Sequence, residues 1–573
     1  MKKTRAFVST AAAALLAAAI AAATLGACSC PNQGGVAGRG SITINFGPEG
    51  ADPAGSAPGG RSARLSPEVI ASLTHEITLD GPTGRIVVPV DGAGTARVSV
   101  SAGDWEISVV STGPRPDNAP ASLPGRIEWA TGSSDGPVTV VAGQAASATI
   151  QMRAVNWVFT HEELLAAIAE AGAGEKTIMV GADITAAATY VIGAGQNVAI
   201  ASHSGQAISR APGHQGPIFE NRGSLTLGRP GLSGVAIDGN GAAATGSAVL
   251  NAATGNLTMH AGASIANNSN ASAMGGGVLN HGSFTMRGGA IENNTAAGGG
   301  GVAVVDGGSF TMDGGTIANN DAMTVGGGVV VAGGSTFTMS GGTIANNDTM
   351  SLGGGVAVVD GGSFTMDGGA ISGNSAVGAG FVGGGGVVVA YDSAFAMHDG
   401  TIEDNNSIVG GGVVVMTGSA FAMSGGTIAN NIAERAGGGV YVENTDSIFT
   451  MLDGAVRGNS AERGGGVYIS FFGEFHARGG TISGNSATLQ GGGAHNAGTF
   501  RIENIVIHGS NAAAALGNTA PTGAALSIEP GYYALLGTLT YDGVFFPTPG
   551  PVAEVEIGTT ETTITVSGGA RQP

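Results

Sequence analysis

A glycine-led valine recurs at Val278, Val302, Val329, Val356, Val387, Val413, Val440 and Val467. The shortest step is Val278 to Val302 and the longest Val356 to Val387. Two more apolar marks keep that step. One is the series Phe284, Phe310, Phe337, Phe364, Phe395, Phe421, Phe449 and Phe475. The other is Ile291, Ile317, Ile344, Ile371, Ile402, Ile428, Val456 and Ile482, each seven residues beyond its Phe. Each unit thus holds three short β-prone runs separated by Gly-rich turns. Units of about 27 residues with three strands and no helix match one coil of a parallel β-helix, whose coils stack about 4.8 Å apart. Leucine-rich repeats are excluded by the missing leucine framework, and a propeller blade needs about 40 or more residues. The 105 glycines and 11% charged residues fit repetitive β architecture, and 42% hydrophobic content supplies a core.

Side chains alternate across a strand, so Val440 and Val442 are expected inside with Tyr441 outside, and Phe337 and Met339 inside with Thr338 outside. The interior should hold columns of Val, Phe, Met and Ile. Three residues past each Ile stands an asparagine: Asn240, Asn268, Asn294, Asn320, Asn347, Asn374, Asn405, Asn431, Asn459 and Asn485. An amide both donates and accepts, so these residues can form a ladder that satisfies buried turn groups from coil to coil. Asn also tolerates a left-handed turn.

The chain begins as a secretory leader would, with basic Lys2, Lys3 and Arg5 before an Ala/Leu run. Leu25-Gly26-Ala27-Cys28 follows and resembles the lipobox of bacterial lipoproteins. That resemblance implies cleavage before Cys28, acylation of its thiol and anchorage to the membrane by lipid. The expected organisation is a signal peptide over 1–27, a lipidated N-terminus and flexible tether over 28–64, and a small Ig-like β-sandwich over 65–153. A capping helix over 154–175, β-helix repeats over 176–510 and a C-terminal β cap over 511–573 follow. In the helix Thr160 is the expected N-cap and Glu163 completes a capping box, closing the open apolar end of the coil. Alternating Val555, Ile557, Ile564 and Val566 suggest the β cap.

The Gly288-Gly289-Ala290-Ile291 and Gly341-Gly342-Thr343-Ile344 steps resemble repeats of polymorphic outer-membrane proteins, and the Asn column is similar to that of the pectate-lyase-like β-helix superfamily. The Phe-to-Asn element of the former family is absent. These resemblances imply an all-β, right-handed parallel β-helix. They also imply a surface adhesin-like or structural binding role at the bacterial outer membrane, with an extracellular polysaccharide lyase or glycoside hydrolase as the alternative.

Catalysis on such a scaffold needs convergent acids and bases. Asp306 with Asp360, and Asp313 with Asp367, each stand two repeat units apart. Two coils at the strand spacing put them roughly 9.6 Å apart, near the upper end of an inverting pair's separation. The flanking segments are near-identical copies, so duplication explains the match, and the chain is expected not to be an enzyme. No catalytic, cofactor or metal residues are assigned, because the histidines lack ligand spacing. Net charge is −19, and loss of the three leader cations makes it −19 − 3 = −22. Lys176 is the sole later lysine, which opposes nucleic-acid binding. One outward column, through Val388, Val414, Tyr441 and Tyr468 with Phe471 and Phe472 nearby, is the candidate partner face for a glycan or surface protein.

Overall fold

The computed structural model describes residues 39–47, 73–91, 94–114, 126–134, 136–151, 153–241, 244–378, 383–443, 446–502, 504–507, 518–521, 526–528, 537–541, 544–545 and 562–566. The leader and Cys28 lie outside the described residues. Among those described, no helix is long and apolar enough to cross a membrane.

The chain is all-β, a parallel β-solenoid of about 11 turns. Each rung lays one strand on a valine face, one on a phenylalanine face and one on an isoleucine face. Like residues pair between rungs, as Val302 with Val329, Phe310 with Phe337 and Ile317 with Ile344. The inward side chains of all three faces form one continuous buried core. Phe rings from Phe284 to Phe475 stack at 4.7–4.8 Å, matching the strand spacing. The longest interval, between Phe364 and Phe395, leaves their rings stacked at 4.7 Å.

Triple glycines let the rungs approach. Gly326 has φ +66°, and a Cβ on Gly328 would stand 2.6 Å from the Gly355 carbonyl oxygen of the next rung. A glycine is therefore required by backbone contact as well as by turn conformation.

A fourth set of strands was absent from the three-strand expectation. Nine short strands, among them Asp321–Val325, Asn406–Val409 and Ile432–Ala436, form their own sheet between the Asn turn and the triple glycine. Their small and polar residues lack the apolar period that marks the other faces.

The Asn column forms a ladder with one correction at each end. Asn320 Nδ2 donates to Asn347 Oδ1 at 2.9 Å and to the Ile291 carbonyl at 2.9 Å, and the pattern repeats through Asn485. Asn240 is not in it. That residue is exposed with φ 58°, the left-handed conformation that Asn267 takes one rung on. At the far end Asn518 continues the ladder, accepting from Asn485 Nδ2 at 3.0 Å.

At the N-terminal side, β1 (Arg39–Gly47) pairs with β4 (Gly94–Ser101) and β8 (Ala145–Gln151), so part of the expected tether is a strand. Ser41 to Phe46 alternates polar and apolar residues, and Ile42 and Ile44 are fully buried. A second sheet holds β2 (Thr74–Gly81), β3 (Gly84–Asp91), β5 (Gly103–Pro114) and β6 (Arg126–Ser133), and β5 also pairs with β7 (Val138–Val140). Ile77, Trp105, Val109 and Ile150 share a core with Ile42 and Ile44, separate from that of the solenoid. β6 pairs in turn with β9 (Arg153–Val158), which pairs with the first solenoid strand, Lys176–Val180. The second sheet is thereby hydrogen-bonded into the phenylalanine face.

Helix α1 (His161–Ala169) follows β9, with Thr160 Oγ1 accepting from the Glu163 N–H at 3.2 Å. The Glu163 carboxylate reaches one residue further back than expected, accepting from the Phe159 N–H at 2.7 Å. Leu164, Ala167 and Ile168 join the solenoid core, so the helix plugs its end. At the other end Thr562–Val566 pairs antiparallel with Gly537–Tyr541, breaking the parallel series; Val555 and Ile557 lie outside the described residues.

Candidate interaction surface

The outward column of the valine face reads Ala303, Val330, Ala357, Val388, Val414, Tyr441, Tyr468 and His495. The structure closes most of this candidate face. Val409 and Ala436 of the fourth strand pack with Val388, Val414 and Tyr441 in a second apolar cluster, and Val325, Leu352 and Tyr468 lie at its margin. Val388 and Val414 are fully buried and Tyr441 is 8% exposed, so none of the three offers a surface. An apolar column on a pleated sheet is most stable when removed from water, and the fourth strand supplies the cover.

Within this cluster the Tyr441 and Tyr468 rings stack at 5.3 Å, and Tyr468 stacks on His495 at 5.1 Å. Burial, then the nearby Glu443 carboxylate, pushes the Tyr441 hydroxyl pKa up. Burial also raises Glu443. His495 is pushed down to about 4, by burial first and then by the Arg463 guanidinium. All three groups therefore favour their neutral forms.

Phe471 and Phe472 remain exposed, by 48% and 69%, on the turn after the Tyr468 strand. That turn belongs to a column sequence reading did not single out. Between the valine and phenylalanine faces four rungs turn through paired residues of positive φ: Asp306-Gly307, Gly333-Gly334, Asp360-Gly361 and Thr417-Gly418. On three other rungs the glycine is replaced, one of them by Asp446 with φ 66°. Tyr391 and Asp392 take φ 57° and 58°, and Phe472 takes φ 68°. Aligning the units by their turns would have revealed the substitution; their backbone conformation would not have been visible.

The acidic pairs keep the two-rung separation read from the sequence. Asp306 and Asp360 lie on alternate rungs with Gly333 between. His281 Nδ1 meets Asp306 Oδ2 at 3.0 Å, Ser340 Oγ donates to Asp313 Oδ1 at 3.0 Å, and His398 Nδ1 meets Asp367 Oδ1 at 2.6 Å. Among the described residues no group of three or more His, Cys, Asp or Glu could hold a metal ion.

The faces, ladder and stacked rings define a protein of the parallel β-solenoid class. Comparison with protein-family models, curated proteins and solved structures gives no match.

Proposed function

We propose that this chain is an adhesin-like, cell-surface binding protein, held at the bacterial outer membrane by lipid on Cys28, with the solenoid as its rigid interaction surface. The observation that carries the reading is the exposure of Phe471 and Phe472 on a frame whose backbone is hydrogen-bonded from rung to rung. Large apolar side chains held in water on a fixed frame are removed from water by a docking partner. A glycan or surface protein suits that role, whereas a net charge of −19 opposes nucleic acid.

The test applies the purified protein from Cys28 onward to arrays of glycans and matrix proteins, with product release assayed on the same polysaccharides. Saturable binding without products is expected. Cleavage would replace this reading with that of a lyase or glycoside hydrolase, and absence of binding to every surface would end it.

A further inference from the structure

The solenoid repeats act as an internal alignment of one turn. At the second position of the turn between the valine and phenylalanine faces stand Gly307, Gly334, Gly361 and Gly418, with φ of 79°, 70°, 75° and 74°. The chain therefore has glycine at hand for this backbone shape and uses it repeatedly. On three further rungs Asp392, Asp446 and Phe472 take this position with φ of 58°, 66° and 68°, and Tyr391, φ 57°, is the one aromatic at the first position, where Asp306, Gly333, Asp360 and Thr417 stand on other rungs. Left-handed backbone disfavours a Cβ, and bulky residues most of all. Neither ring is compensated by burial, since Tyr391 is 49% and Phe472 69% exposed. Strain held at an exposed aromatic is a mark of a working surface.

We propose that the turn edge bearing Tyr391, Asp392, Phe471 and Phe472 is a row of subsites for a neutral glycan chain laid along the solenoid axis, an assignment that rests on the surface-binding reading above. Three rung steps separate the two aromatic turns, roughly 14 Å at the strand spacing. A pyranose presents an apolar ring face to an aromatic side chain and hydroxyl donors to carboxylates. Asp392 and Asp446, exposed on this edge, supply acceptors beside and between the aromatic turns. With Asp360 exposed on the same edge and a net charge of −19, uronate or sulfate chains are repelled. The apolar groups form a line one turn wide, interrupted at Thr417 and Asp446. A stable protein partner covers about 800 Å² on each side, a patch rather than a line.

The experiment compares the protein from Cys28 onward with the double variant Tyr391→Gly/Phe472→Gly. Probes are a soluble neutral β-glucan, a neutral galactomannan, polygalacturonate and immobilised host-cell surfaces. Phe472→Gly restores the residue used on sister rungs and Tyr391→Gly the one at Gly333, so the variant is expected to fold with an equal or higher melting temperature. The expected result is saturable binding of at least one neutral glycan, weakened tenfold or more in the variant, with polygalacturonate not bound. Equal neutral-glycan binding by variant and parent overturns the assignment, as does preference for polygalacturonate. Failure with both neutral glycans alongside variant-sensitive cell binding also overturns it, in favour of a protein partner, and leaves the surface-binding reading standing. Failure on every probe, cells included, removes both.

Discussion

Asn346 and Asn347 are neighbours in sequence and divide between them two tasks that a single asparagine column was expected to perform. Asn346 is exposed with φ 53° and turns the chain, while Asn347 is fully buried and donates through Nδ2 to Asn374 Oδ1 at 2.9 Å. Its own Oδ1 accepts from the Asn320 N–H and Nδ2 at 3.0 and 2.9 Å. The pair recurs as Asn293 with Asn294 and Asn319 with Asn320.

The division predicts opposite responses to mutation. Asn347→Ala leaves buried partners on both adjacent rungs unsatisfied and should cost about 2–4 kcal/mol. Asn346→Gly keeps the left-handed turn and should change stability by no more than about 0.5 kcal/mol. Urea midpoints of the two variants provide the check; equal losses would refute the division of labour.

Glycines on the same rungs should differ in the same way. Gly328→Ala drives a methyl against the Gly355 carbonyl oxygen, 2.6 Å away, and is expected to cost about 1–3 kcal/mol or more. Gly307 has φ +79° with nothing within 4 Å of where a Cβ would stand. Gly307→Ala therefore carries the conformational term alone, about 1–2 kcal/mol. Denaturant melts should rank Gly328→Ala as the more damaging.

His495 ties stability to pH. Its folded pKa of about 4 lies below the ordinary 6.5, so the unfolded chain binds the proton more readily. The neutral ring's contribution is fully present above pH 6.5, falls as the pH drops and is gone below about 4. A shift of that size corresponds to roughly 3 kcal/mol. His260, also pushed down to about 4 by burial and then by Arg287, adds in the same direction. His495→Phe keeps an aromatic on Tyr468 and should flatten the loss of stability between pH 6.5 and 4 relative to the parent. Parallel pH curves would show that His495 does not contribute.

The lipid anchor is tested at Cys28. Cys28→Ala should leave the exported chain unacylated, read as loss of the acyl mass and transfer from the membrane to the soluble fraction. Retention of both would discard the anchor.

The three principal faces and the helix were legible because each is a local period. Valines, phenylalanines and isoleucines return once per repeat unit, and Leu164 with Ile168 share one turn of a helix. The fourth strand was not legible. Segments such as Asp321–Val325 carry no apolar alternation, and their order comes from pairing with the rungs on either side. Its omission made the column through Val388 and Val414 look open. Strand β1 was missed for another reason, since a Gly/Pro-rich neighbourhood masked the alternation of Ile42 and Ile44. For the candidate surface, Phe471 and Phe472 were visible as residues, but their exposure and the left-handed φ of Tyr391 and Phe472 depend on backbone geometry that composition does not encode.

The segment from Gly299 to Gly315 is identical, residue for residue, to that from Gly353 to Gly369, and the two lie two rungs apart in matching register. Adding or removing the two repeat units between these segments would leave a junction that every face already accommodates. The cut ends would meet as a screw meets its own thread. A rod changed in this way would lengthen or shorten by two whole turns, roughly 9.6 Å, and keep the aromatic edge beyond Tyr391.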